Sequence, residues 1–222
     1  MRTPSEDEVL DFGRGWLERL FGVESRLPVA FAGGAFRSLV SDLPPRDIDL
    51  WFPSAEALGD ARAALEACGA RLERDNPPYQ VRYLVEGTPV ELVYNVHPPD
   101  LDALLGTFDL GPCMMGVARR AGAWSARVHP LAARSFAEGR VLVHREIGNW
   151  KYALTSLERL ERYAEELSMA VDDADRRWLW ALFDGAVPDE QARMVARYLR
   201  AGGQDPRILY RARTTGAWVE AA

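Results

Sequence analysis

Two glycines close one short apolar run and two aspartates sit inside the next; no other feature constrains this chain as much. Val29 to Ala32 predicts a short buried strand, which Gly33-Gly34 ends before a helix running to about Val40. Pro44-Pro45 breaks that helix and leads into a second strand, Asp47 to Phe52. Asp47 stands thirteen residues after Gly34 and Asp49 follows at i+2, so both carboxylates project from one strand face. A glycine turn lets backbone approach a bound phosphate, and a helix opening there aims N–H groups at it. Aspartates inside so apolar a strand are costly unless paired or bound to a cation; the plainer alternative is a solvated strand edge. A phosphate cradle beside two parallel carboxylates is the equipment of Mg2+-dependent phosphoryl or nucleotidyl transfer.

Around this centre the pattern is α+β. Ser5-Glu6-Asp7-Glu8 caps an amphipathic helix with Val9, Leu10, Trp16, Leu17, Leu20 and Phe21 as its apolar positions. Ser54 caps a helix over 54–68, and Gly69 stands where a C′ glycine belongs. Residues 79–86 and 89–95 read as a hairpin about Glu86-Gly87-Thr88, with Glu91 and Val93 on the face opposite Val90 and Leu92. A short helix follows Pro98-Pro99 over 99–106, and 113–118 and 140–143 are further strands. From Asn149 the pattern turns helical, over 149–167, 172–184, 188–202 and 205–213. The expected organisation is a catalytic domain over 1–145 with a mixed sheet and flanking helices, then a small helical domain over 146–222.

Composition narrows the partners. With 222 residues and a net charge of −6, the chain is unlike proteins that bind long nucleic acid through their whole surface, which are usually basic. This favours a small substrate or a local basic groove and does not exclude RNA. Neither the cysteines, Cys68 and Cys113, nor the three histidines have metal-type spacing. The first residues carry no apolar signal core and no run approaches a membrane span, so reduced thiols and a cytoplasmic location are expected.

At Gly33-Gly34-Ala35-Phe36-Arg37-Ser38 and Asp47-Ile48-Asp49-Leu50 the chain resembles the DNA polymerase β superfamily of nucleotidyltransferases. Within it, the resemblance is to the head domain of tRNA nucleotidyltransferases (CCA-adding enzymes) and bacterial poly(A) polymerases, whose motif is Gly-Gly-x-Val-Arg-Asp before an Asp-x-Asp strand. Ser38 replaces the aspartate of that motif. The family's Arg-Arg-Asp-Phe-Thr-Ile-Asn-Ala corresponds to Thr107-Phe108-Asp109-Leu110-Gly111-Pro112-Cys113-Met114, where only Asp109 survives. Arg159-Leu160-Glu161-Arg162-Tyr163-Ala164 is similar to the family's Arg-x-x-Arg-Phe-Ala. The likeness spans 28–165; residues 166–222 are too few for the family's body and tail domains, as in short bacterial or phage-encoded members.

The resemblance implies a polymerase β-like fold and transfer of NMP from an NTP to an acceptor hydroxyl, with two Mg2+ ions held by Asp47 and Asp49. Glu91 is the candidate third carboxylate and metal ligand, with Asp109 its rival and a pair with Arg82 across the hairpin its alternative. Gly33, Gly34, Arg37 and Asp109 are the expected nucleotide contacts; Arg37 is alternatively bridged to Asp42. Lys151, Arg159 and Arg162 form a basic helical stripe toward nucleotide or acceptor, unless the glutamates of that helix make it an ordinary solvated face. The acceptor is an RNA 3′ end, a small molecule or a protein side chain, the latter two fitting a toxin- or defence-type transferase. From another class, a non-catalytic nucleotide-binding or regulatory protein also accounts for Ser38 and the eroded second motif.

Overall fold

The computed structural model describes residues 2–94, 98–147 and 150–216. The chain divides into two compact units, Met1–Glu138 and Gly139–Ala222.

The first unit is a mixed sheet with flanking helices. Helix α1 (Glu6–Phe21) starts on the expected capping box, with Ser5 and Glu8 each accepting from the other's backbone N–H. Strands β1 (Val29–Ala32) and β2 (Ile48–Trp51) follow, then α2 (Ala55–Ala67) on its Ser54 cap. Next come β3 (Arg71–Asn76), β4 (Gln80–Val85), β5 (Thr88–Val93), α3 (Leu101–Leu105), β6 (Met115–Arg120), β7 (Ala123–Val128) and α4 (Pro130–Glu138). The seven strands run β3-β4-β5-β2-β1-β6-β7, and β2–β5 is the parallel pair. A parallel pair needs a crossover, which α2 and the β3–β4 hairpin supply.

Both sheet faces are covered. Ile48, Leu50, Val90 and Leu92 are fully buried on one. There α1 comes so close that a Cβ on Gly13 would lie 2.4 Å from Val117 Cγ2, which explains a glycine inside a helix. On the other, Ala30, Ala32, Trp51 and Ala118 meet Leu101, Leu104 and Leu105 of α3, with Val93 and Phe108 packed alongside.

Two strands and a helix of this unit have no counterpart in the sequence reading. All six residues of β3 are exposed; an edge strand this polar shows no apolar alternation, and its charges guard the edge. In β7 only Ala126 is buried, and α4 follows directly.

In the second unit, β8 (Arg140–Val141) pairs in parallel with β9 (Ala170–Val171), so the expected strand over 140–143 belongs to a separate small ribbon. Its helices are α5 (Ala153–Glu166), α6 (Asp173–Asp184), α7 (Pro188–Arg200) and α8 (Pro206–Thr214). The start expected at Asn149, like the strand end at Asn95, lies outside the described residues.

Candidate functional site

The glycine turn is held from β6: the Gly33 N–H donates to the Met115 carbonyl at 3.0 Å. Gly33 has φ +100°, a conformation side chains disfavour. Beyond it the chain winds into a helix that ends at Leu39, close to the expected end at Val40, and is of the 3-10 kind over Gly34–Leu39. The segment is short, and its first N–H···O bond spans three residues, from Phe36 N–H to Gly33 C=O at 3.3 Å. Ala35, Phe36 and Arg37 are all buried, and Phe36 lies in a cluster with Phe12 and Phe31. A six-residue 3-10 segment offers a phosphate the backbone of the glycine turn rather than a long α-helical N-terminus.

The carboxylates lie beside the turn. A Cβ on Gly33 would stand 3.7 Å from Asp49 Oδ2 and 3.7 Å from the Phe108 ring, which itself meets Trp51 edge to face. Asp49 is in register with Glu91 across the parallel pair, so the two side chains share one sheet face. Asp47 falls one residue before β2, not on it. It is still near enough for its charge, after burial itself, to raise the Glu91 proton affinity; Arg82 and Arg74 pull the other way without cancelling the effect. Arg82 Nη1 stands 3.5 Å from Glu91 Oε1, so the cross-hairpin pair weighed from sequence is present.

These residues fit a hard divalent cation chemically: the donors are carboxylate oxygens, and Asp49 and Glu91 stand in register on one sheet face. Among the described residues no group of three or more His, Cys, Asp or Glu side chains is gathered around one point. Mg2+ commonly takes one or two carboxylates with substrate phosphates and water rather than a finished protein cage.

Arg37 is not an exposed fork. It is 8% exposed, and its Nη1 lies 3.9 Å from Cys113 Sγ, in the turn over Gly111–Cys113. Asp109 is buried just before that turn. Arg37 thus belongs to the wall behind the glycine turn. Cys113 thus lines a cation as well as filling space.

Lys151, Arg159 and Arg162 belong to the second unit. Lys151 precedes α5 and lies over the Tyr152 ring, so the three do not share one helix face. Arg162 pairs with Glu166 at 3.6 Å and stacks on Tyr163. Trp150 packs edge to face on Trp178, and Tyr163 is buried. Trp180 is half-buried under Arg211. A cavity of about 740 Å³ opens there, beside Arg176, Arg207 and Arg211. Glu161, Asp205 and Asp184 match those three arginines one for one, so it is not a phosphate site by charge. Nothing in the sequence pattern marked it.

No protein-family model and no curated protein matches the sequence. Solved structures do match. A CCA-adding enzyme in complex with ATP aligns with TM-score 0.60 and 15% identity over 94% of this chain and 51% of its own. The Thermotoga maritima CCA-adding enzyme complexed with tRNA gives 0.57 and 15% over 98% and 55%. A tRNA nucleotidyltransferase with primer tRNA and an incoming ATP analogue gives 0.54 and 17% over 90% and 60%. The chain therefore has the α+β nucleotidyltransferase fold implied by its resemblance, and spans 51–60% of the length of these three. At such identities the likeness is one of fold. Among the described residues no helix is long and apolar enough to cross a membrane.

Proposed function

We propose that the chain is an Mg2+-dependent nucleotidyltransferase that moves NMP from an NTP to an acceptor hydroxyl, releasing pyrophosphate, with an RNA 3′ end as acceptor. The observation that carries this reading is the placement of Asp49 beside Glu91 on one sheet face, directly against the Gly33 turn. Its support is a fold shared with proteins solved in complex with ATP, CTP and tRNA.

Asp47, Asp49 and Glu91 are the residues that would hold the cation. Bound there, Mg2+ would neutralise phosphate charge and favour in-line displacement. The backbone at Gly33-Gly34 would receive the triphosphate, because an added Cβ at Gly33 would narrow its approach to Asp49. Arg37 and Asp109 would support that wall, and Lys151, Arg159 and Arg162 would offer positive charge to a nucleotide or acceptor. The acceptor oxygen attacks the α-phosphorus, the bond to the bridging α–β oxygen breaks, and the hydroxyl proton passes to a carboxylate of the cluster.

Incubation with each radiolabelled NTP, Mg2+ and total RNA tests this, beside a D47A/D49A control. Label entering RNA only with the intact aspartates supports the reading and identifies the nucleotide. Consumption of NTP by the intact protein without labelled RNA moves the acceptor to a small molecule or a protein. Inactivity toward every NTP without Mg2+-dependent binding leaves the regulatory reading.

A further inference from the structure

Arg82 occupies an unusual seat. On one side its Nη1 faces Glu91 Oε1 at 3.5 Å; on the other its Nε faces Glu73 Oε2, also at 3.5 Å. Neither contact is a close fork, and Nε is buried without a hydrogen bond. A buried donor left in this state is easily drawn to a better position. Glu73 reaches it through an irregularity of the sheet. The β3–β4 register jumps from Leu72↔Tyr83 to Arg74↔Arg82, so Glu73 is the extra residue of a bulge, a device that re-aims a side chain. Directly across from Arg82 stands Arg74, a like charge that holds Arg82 between the two acids.

We infer that Arg82 is a built-in counter-ion for Glu91 that gives way to a divalent cation, with Glu73 as the seat to which its guanidinium moves. This rests on the reading of Asp47, Asp49 and Glu91 as the cation site. In the cation-free protein Arg82 partly neutralises Glu91 and holds the carboxylate in its strand position. When a cation takes Glu91, Arg82 remains neutralised by Glu73 instead of repelling the ion across a few ångströms. Arg82 is thus a positioning residue that sets how readily the site loads.

The test is Mn2+ binding, without nucleotide, measured by electron paramagnetic resonance of the free ion and by calorimetry. R82Q is expected to bind Mn2+ about fivefold more tightly and R82K to return to the wild-type constant, as removal and restoration of a nearby unit charge require. E73Q is expected to weaken binding about threefold, on the same Coulombic scale. In the R82Q background, E73Q is expected to have no effect. Equal weakening by E73Q in both backgrounds means field effects without a transfer, and overturns the proposal. So does unchanged or weaker binding by R82Q when its circular dichroism and melting match wild type. D49N separates the two readings. If it binds Mn2+ like wild type, the ion sits elsewhere and the cation site itself is refuted; if it abolishes binding, the Arg82 series decides alone.

Discussion

The sheet is built differently on the two sides of β2. Toward β1 and β6 the neighbours of Asp49 are small: Ala32 pairs with Gly116, where an added Cβ would fall 2.7 Å from the Ala32 Cβ and 2.8 Å from the Phe31 carbonyl. Toward β5, β4 and β3 the same face carries Glu91, Arg82 and Arg74 in register, one per strand. One wing brings backbone close and the other brings charge. The candidate site lies where they join, because the close-packed wing sets Gly33 against Asp49 and the charged wing sets Glu91 beside it. Each wing should therefore fail in its own way.

The largest effect is expected from the charged side. D49N should lower nucleotidyl transfer by about 10³-fold or more, the scale of losing a principal electrostatic group at a reacting centre. Its melting temperature should remain near wild type. Transfer that survives D49N would move the chemistry away from this junction. On the close-packed side the order reverses. G116V should cost about 3 kcal/mol of stability in chemical denaturation, because the new side chain meets backbone and Cβ that have no room to give. A G116V protein as stable as wild type would mean that β1 and β6 are not held as closely as these distances require.

Glu91 distinguishes the wings by pH. Burial, then the Asp47 charge, hold its folded proton affinity above the ordinary carboxylate value. A raised carboxylate subtracts stability when ionised, and that loss is relieved as pH falls through the folded value. In EDTA, E91Q should therefore melt above wild type at neutral pH. The gain should vanish below about pH 4, where the carboxyl is protonated in both states. A gain independent of pH would show that better packing of the neutral amide, not removal of the charge, is responsible.

Legibility in the sequence follows the same division. Strand β1 and the cap of α1 were readable because apolar runs and capping chemistry are local. So was the shared face of Glu91 and Val93, since the alternation of Val90 and Leu92 fixes it. Strand β3 was not, because an edge strand of exposed charges carries no burial signal; its bulge at Glu73 is visible only in the pairing. Nor was the burial of Arg37, whose surroundings come from a turn far along the chain. Lys151 joins the basic stripe only if the helix is extended toward Asn149, whereas α5 starts at Ala153. Spacing located Asp47 and Asp49, but their relation to Glu91 depends on a parallel register made by a distant crossover.

The smallest test concerns two turns that sequence treated unequally. Glu86-Gly87 joins β4 to β5, and Ala121-Gly122 joins β6 to β7; in both, the two residues have positive φ. That is the signature of a tight two-residue hairpin turn. Only the first is legible in the sequence, because Val81, Tyr83, Val90 and Leu92 alternate around it, whereas Ala123-Trp124-Ser125-Ala126 does not. The turns themselves are equivalent: a Cβ on Gly87 or on Gly122 meets nothing within 4 Å, so alanine adds only backbone strain. G87A and G122A should each cost about 1 kcal/mol in chemical denaturation, with transfer activity retained. If G87A alone also lowers activity, strain at that turn reaches Glu91 along β5, and the charged wing is the more deformable one. Equal losses in stability with unchanged activity would place the difference between the wings in their side chains, not in their turns.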